Sequence, residues 1–411
     1  MDAPHLVTAR KRASRPLRPS PAFAEPTGPP TILLSVAGLS PQVITETLYC
    51  LLVQRRPRAD VREVHVLTTA VGKQRVCEDL LAPRRGWFHR FCREYGIPAA
   101  RIRFNARTIH VVSGADGAFL DDVRTPEDNV RLADAVLALV RDLTRDPGRA
   151  LHASVAGGRK TMGLLLGIVF QLRARPQDRL SHVLVSPSEL EGQRDFFYPP
   201  RAPRMYRVTA APIRSRDVRV ELAEIPVPLL RDHVPAIGTG EQSYSELIAL
   251  TQRELDWQTK PPPLVLEARS RALRIAETTV RLTPLEFAVY TLFARRRTAG
   301  CGRAECPGCE RCALRTDAFL EQETLGALRR ILQGLHVHDD RVATLEGWYS
   351  TDLSKKDPRD RFLQVRSRIN RKVRQALGVG RCVDRYLLTA TGKHGETLYC
   401  IAAQPGLFCF T

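Results

Sequence analysis

Leu151–Gly167 reads LHASVAGGRKTMGLLLG, an apolar run, two glycines, a basic pair and an amphipathic stretch. That is the text of a strand, a tight turn and a helix. The same four residues, SVAG, stand at Ser35–Gly38 in TILLSVAGLSPQVITETL (Thr31–Leu48), again between an apolar run and a helical period. Working outward, VREVHVLTTA, TIHVVSG and SHVLVSP read as further strands, and ITETLYCLLVQ, PEDNVRLADAVLALVRDL and KTMGLLLGIVFQLR as helices. Strand and helix in alternation with short connections predict an α/β fold, a Rossmann-like parallel sheet with helices on both faces. Ligands of such sheets sit at the carboxyl ends of the strands, where glycine turns bring backbone N–H groups close to an anion. Both SVAG segments are turns of this kind.

The chain has 411 residues, 43% of them apolar, enough for two or three domains with their own cores. Its 63 Lys and Arg against 44 Asp and Glu give a net charge of +19, which favours a polyanionic partner; Arg-rich coding bias would give the same excess. Neither a membrane-spanning run nor a hydrophobic signal core is present, so no membrane association and a cytoplasmic location are expected. Ten scattered cysteines do not read as a secreted disulfide framework.

Residues 1–30, rich in proline and basic side chains, read as a disordered basic tail. Residues 31–200 form the α/β domain, 201–260 a linker and connecting helix, and 261–411 a second domain. In that domain LTPLEFAVYTLFA (Leu282–Ala294) begins a helix with Thr283 as N-cap and Pro284 at its first position. RFLQVRSRINRKVRQAL (Arg361–Leu377) is a helix with a basic face, and DRYLLTATGKHGETLYCIA a hairpin turning at Gly392–Gly395. Helices followed by a hairpin predict a winged helix-turn-helix.

In AGGRKTMG, Gly157 and Gly158 allow backbone approach to a phosphate, Arg159 and Lys160 bring positive charge, and Thr161 donates from the first helical turn. The spacing departs from GxxxxGK[ST], so nucleoside triphosphate hydrolysis is not supported, and a tight turn with a solvated basic pair is the plain alternative. In the first loop Gly38 permits the turn and Ser40 stands at the strand's carboxyl end, with N-capping before Pro41 as its plain role. If the two strands are neighbours, a hydroxyl and an ammonium face one crevice. In DDVRTPEDN, Thr125, Pro126, Glu127 and Asp128 suit a helix start, with a ligand or subunit contact as the alternative.

Taken in order, LLSVAGLSPQVITETLY, DDVRTPEDN and SVAGGRKTMG resemble the CRISPR-associated Rossmann fold (CARF) superfamily, and within it the ring-nuclease branch that binds cyclic tetra-adenylate. The resemblance covers about residues 31–200. It implies Ser40 and Lys160 as catalytic residues, and Gly38, Gln42, Gly157, Gly158, Arg159 and Thr161 as ligand-binding ones. It also implies a homodimer around the ring, no cofactor for catalysis, and products with 2′,3′-cyclic phosphate ends whose formation switches off type III CRISPR signalling. Lys160 would stabilise developing charge and Ser40 orient the ribose or phosphate. With no histidine in either loop, no general base is evident and slow turnover is expected.

The second domain resembles the OmpR/PhoB type of winged helix, which implies Arg361, Arg366, Arg368, Asn370, Arg371 and Arg374 as nucleic-acid contacts; dimerisation or covering of the ligand pocket are the other uses of such a domain. About fifty residues inserted between its two helices depart from that pattern. They hold CGRAECPGCERC, in which Cys301, Cys306, Cys309 and Cys312 could close a structural zinc site, with an iron–sulfur cluster or free thiols as alternatives. Two functions compete with a ring nuclease: a ligand-responsive winged-helix transcription regulator without catalysis, and a HEPN-type ribonuclease using Arg330 and His336, disfavoured by the apolar Ile331 between them.

Overall fold

The structure, a computed structural model, describes residues 28–209, 211–232, 242–303, 306, 308–335, 358–378, 380–391 and 397–411. The basic tail up to residue 27, His336 and the hairpin turn at 392–396 lie outside them. The chain divides into two compact units, Met1–Leu229 and Leu230–Thr411.

The first unit is mixed α/β. Strands β1 (Thr31–Val36), β2 (Val61–Thr68), β3 (Ile109–Val111), β4 (Ala150–Ser154) and β5 (Arg179–Ser186) run parallel in the order β3-β2-β1-β4-β5. All five expected strands are present. In the centre, Ile32–Val36 and the whole of β4 are buried, Ser35, His152 and Ser154 included, as in strands covered on both sides. Helices α1 (Gln42–Tyr49), α2 (Ala70–Asp79) and α3 (Trp87–Tyr95) share one core cluster with Leu33, Val64 and Val66, while α4 (Pro126–Leu143) and α5 (Lys160–Arg173) pack on each other.

The sheet does not stop at residue 200. A two-stranded pair, β6 (Met205–Tyr206) and β7 (Ile213–Arg214), leads into β8 (Arg219–Glu224), which adds antiparallel to β5 as the sixth strand. The stretch 201–260, read as linker and connecting helix, therefore divides: its first part completes this sheet. Charged RVELAE is tolerated there because an edge strand leaves one side to solvent.

The second unit begins its described part with α6 (Tyr244–Thr259), started by a Ser243–Glu246 capping box. Strands β9 (Leu264–Glu267), β10 (Ala272–Ile275) and β11 (Thr278–Arg281) form an antiparallel meander extended by β15 (Phe408–Phe410) beside β9. Then come α7 (Pro284–Ala299), β12 (Leu314–Arg315), α8 (Gln322–Gly334), the basic helix Pro358–Leu377, and the hairpin β13 (Leu388–Thr391) and β14 (Leu398–Ile401). Thr283 caps α7 as expected, reciprocally with Glu286. Helix α8 was hidden in the text read as an insertion. On the basic helix Phe362, Val365, Ile369, Val373 and Leu377 form one fully buried stripe at helical spacing, so its arginines are left to the other faces. Among the described residues no helix is long and apolar enough to cross a membrane.

Candidate functional site

Strand order places the two SVAG segments side by side. β1 pairs with β4 in register, Ser35 opposite Ser154, so the turns that follow leave the sheet together. Here the order reverses, β2 lying on one side of β1 and β4 on the other, which is where open α/β sheets bind ligands. The turns touch: a Cβ on Gly38 would lie 3.1 Å from Gly158 Cα. Gly157 and Gly158 have φ of +98° and +68°, a region costly for other residues, and a Cβ on Gly157 would come 3.0 Å from Val36 O. Further bonds fix both turns: Thr68 Oγ1 donates to Ala37 O at 2.7 Å, and Val155 N to Ser181 O at 3.0 Å.

A cleft of about 520 Å³ opens at this point, lined by Gly38–Ser40, Thr69, Val71, Asp121–Arg124, Gly157–Arg159 and Met162. The expected residues are not used alike. Ser40 is exposed on the cleft and does not cap α1: Pro41 takes the N-cap position in helical conformation, without a side-chain cap, so the hydroxyl has no hydrogen-bond partner among the described residues. Lys160 and Thr161 open α5 beside the cleft, both exposed, and Lys160 has no ion pair among the described residues. Gln42 is buried instead of lining the cleft; its Nε2 donates to Gln193 O at 3.1 Å, tying down the loop after β5, and its Oε1 has no partner among the described residues.

Arg159 is already engaged. Its Nε donates to Asp122 Oδ1 at 2.7 Å and its Nη2 to Oδ2 of the same carboxylate. That guanidinium holds the Asp122 carboxyl well below the usual carboxylate range. Nothing in the sequence signals this pair, 37 residues apart; it carries DDVRTPEDN into the cleft wall. The same segment also caps α4 through a reciprocal Thr125–Asp128 box, as its residues suggest. One further group escaped sequence reasoning. Glu46, one turn beyond Gln42 and 3% exposed, has its carboxyl pushed up to about 8 by burial and by the nearby Glu191.

In the second unit the expected nucleic-acid residues are mostly committed internally. Asn370 exchanges two hydrogen bonds with the Leu388 backbone, both 3.0 Å. Arg366 lies over the Tyr399 ring, Arg368 pairs with Glu286 and Arg374 with Asp384. Arg371 is exposed and has no ion-pair or hydrogen-bond partner among the described residues, and Arg361 is half-buried. Arg366, Ser367, Asn370, Arg371, Arg374 and Gln375 line a recess of about 430 Å³. Arg330 lies on α8. The four cysteines do come together: the sulfurs of Cys301, Cys306, Cys309 and Cys312 lie within 4.8 Å of one another and could hold a metal ion.

No curated protein matches the chain. A family model, that of CRISPR-associated protein NE0113, matches residues 40–255, from the serine of the first turn through the second turn and into α6. With more than half of its length covered, the chain belongs to this CRISPR-associated family.

Proposed function

We propose that this protein is a ring nuclease. Its first unit, read as a CARF domain, binds cyclic tetra-adenylate in the cleft between the turns after β1 and β4 and opens the ring, switching off a type III CRISPR signal in the cytoplasm. The observation that carries this reading is the abutment of Gly38 and Gly158 above paired strands, with an exposed hydroxyl and an exposed ammonium beside them. Membership of a CRISPR-associated family supports the biological setting.

In the reaction a ribose 2′-oxygen attacks the adjacent phosphorus, the 5′-oxygen leaves, and the proton lost from the 2′-hydroxyl is matched by one gained at the leaving oxygen. The product carries a 2′,3′-cyclic phosphate. Ser40 orients the reacting sugar or phosphate, and Lys160 stabilises the negative charge that grows on the phosphoryl oxygens. Arg159, fixed by Asp122, lends a positioned cation to the cleft rim. A homodimer would present the same loops to opposite halves of a four-fold ring.

Incubating chelator-treated protein with labelled cyclic tetra-adenylate and separating the products tests the proposal. Linear species ending in 2′,3′-cyclic phosphate are expected. Tight binding of an intact ring would overturn the enzyme reading in favour of a regulator whose second unit, a winged helix, binds DNA. The solvent-facing recess along the basic helix is the observation favouring that second reading. In either case the four-cysteine group is read as a structural zinc site.

A further inference from the structure

We propose that Cys301, Cys306, Cys309 and Cys312 hold a single zinc ion as a tetrathiolate centre whose negative charge is partly offset by buried Arg297, and that this centre clamps the β13–β14 hairpin to the end of α7. The inference rests on reading the four cysteines as a metal site and adds its nuclearity, its charge balance and its mechanical role.

Spacing decides nuclearity. Cys309 and Cys312 sulfurs are 3.8 Å apart, Cys312 and Cys301 sulfurs 3.5 Å, and all four lie within 4.8 Å. Zinc–sulfur bonds of about 2.3 Å in a tetrahedron give edges of about 3.8 Å. A cluster of two or four irons distributes its thiolates over several metal atoms and holds them further apart. Of mononuclear occupants, zinc binds more tightly than ferrous iron in the general affinity order. Four protein ligands leave no open position, the mark of a structural site.

The backbone is arranged for thiolates. Cys301 N donates to Cys312 Sγ at 3.3 Å, and Gly308 N and Cys309 N to Cys306 Sγ at 3.5 and 3.3 Å. Such outer bonds hold ligands in place. Two glycines make room: a Cβ on Gly300 would lie 2.5 Å from Cys312 Sγ, and one on Gly308, at φ +115°, would lie 2.6 Å from Cys400 Sγ.

Charge supplies an independent observation. Arg297 is 1% exposed and has no carboxylate partner among the described residues. Its Nε donates to Ala403 O at 3.0 Å and its Nη2 to Cys306 O at 2.8 Å, while Nη1 is buried without a partner among the described residues. An isolated buried cation is strongly unfavourable. Zinc with four thiolates carries two negative charges, and a guanidinium bonded to a ligand's own carbonyl offsets part of them.

The clamp follows from what the loop touches. Arg296, next along α7, donates to Ala313 O and Glu310 O, both at 2.9 Å. Directly after Cys312, β12 pairs with β14, Leu314 opposite Tyr399. Gly308 packs on Cys400 and Thr391, one from each strand of the hairpin. A two-stranded hairpin is marginal alone, so a third strand fixed by a metal matters to its order.

The experiment uses the full chain purified under reducing conditions. Elemental analysis should find about one zinc per chain, and cobalt exchanged into the site should show the absorption of a tetrahedral tetrathiolate. Four reactive thiols without metal would overturn the metal site itself; iron in place of zinc, whether single or with labile sulfide, would overturn the zinc assignment. Stripping the metal should then speed amide exchange of 388–391 and 397–403 by about tenfold or more, with 31–68 unchanged. Metal loss without that change would overturn the clamp and leave the site standing. Arg297→Met should weaken zinc about 10- to 100-fold, judged by chelator competition; unchanged affinity would overturn the charge role.

Discussion

Ser40 and Lys160, on the turns above the first unit's sheet, have no partner among the described residues, whereas the basic helix of the second unit gives Asn370 to the hairpin backbone, Arg368 to Glu286 and Arg374 to Asp384. The difference separates two uses of a polar side chain. A group held on a rigid, buried scaffold and left unpaired is ready for a ligand, with little internal bonding to give up. A group bonded inside its own unit stabilises the fold, and a ligand would have to displace that bond. By this criterion the first unit presents a site and the second mostly an architecture.

Glu46 breaks the pattern within the first unit, because it is polar and buried beside Glu191. Its carboxyl holds a proton up to about pH 8 in the folded chain, while an ordinary glutamate releases it near 4.5. The folded state thus binds more protons between those values, and its stability falls as pH rises through that window and levels off above it. Glu46→Gln should remove the fall, raising stability by up to several kcal/mol at pH 8 and by almost nothing at pH 4. Denaturant unfolding of both proteins across this range measures it; identical pH profiles would show that Glu46 is ionised in the folded state.

Lys160 carries the next largest effect. If its ammonium meets charge present only in the transition state, Lys160→Ala should slow single-turnover ring opening by roughly 10²-fold while changing ring affinity much less. An unchanged rate would remove Lys160 from the chemistry and reduce the second turn to a structural one.

How far the sequence reveals these things depends on the range of the interaction. The two SVAG turns were legible because a glycine after an apolar run is a local signal, whereas the adjacency of β1 and β4 stood only as a condition in the sequence and came from the strand order of the folded sheet. The cysteine cluster was legible because its four thiols lie within twelve residues. Strand β8 and helix α8 were missed: one is a charged edge strand, the other lies in text already set aside as an insertion. The Asp122–Arg159 pair, the Gln42–Gln193 bond and the burial of Arg297 join distant segments and leave no local periodicity. Composition also overstated the basic helix, since charge in a sequence does not disclose which arginines already have partners.

That last point can be tested on adjacent residues. Asn370→Ala leaves the N–H and C=O of buried Leu388 unpaired and should cost about 1–3 kcal/mol of stability. Arg371→Ala, on an exposed side chain, should change stability by no more than about 0.5 kcal/mol. Nucleic-acid binding sorts them the other way. An arginine on a phosphate contributes about one to the slope of log affinity against log salt, so Arg371→Ala should lower that slope by about one, and Asn370→Ala should leave it unchanged. Titrating duplex DNA with the full chain at several salt concentrations, alongside unfolding of both variants, gives the two readouts together. A reduced slope for Asn370→Ala without loss of stability would mean the helix gives up its bond to the hairpin on binding, and the second unit would then be a reader whose contacts rearrange rather than a fixed support. Equal slopes for Arg371→Ala and the parent would take the exposed arginine out of any nucleic-acid contact, leaving the cleft of the first unit as the place where this chain meets a polyanion.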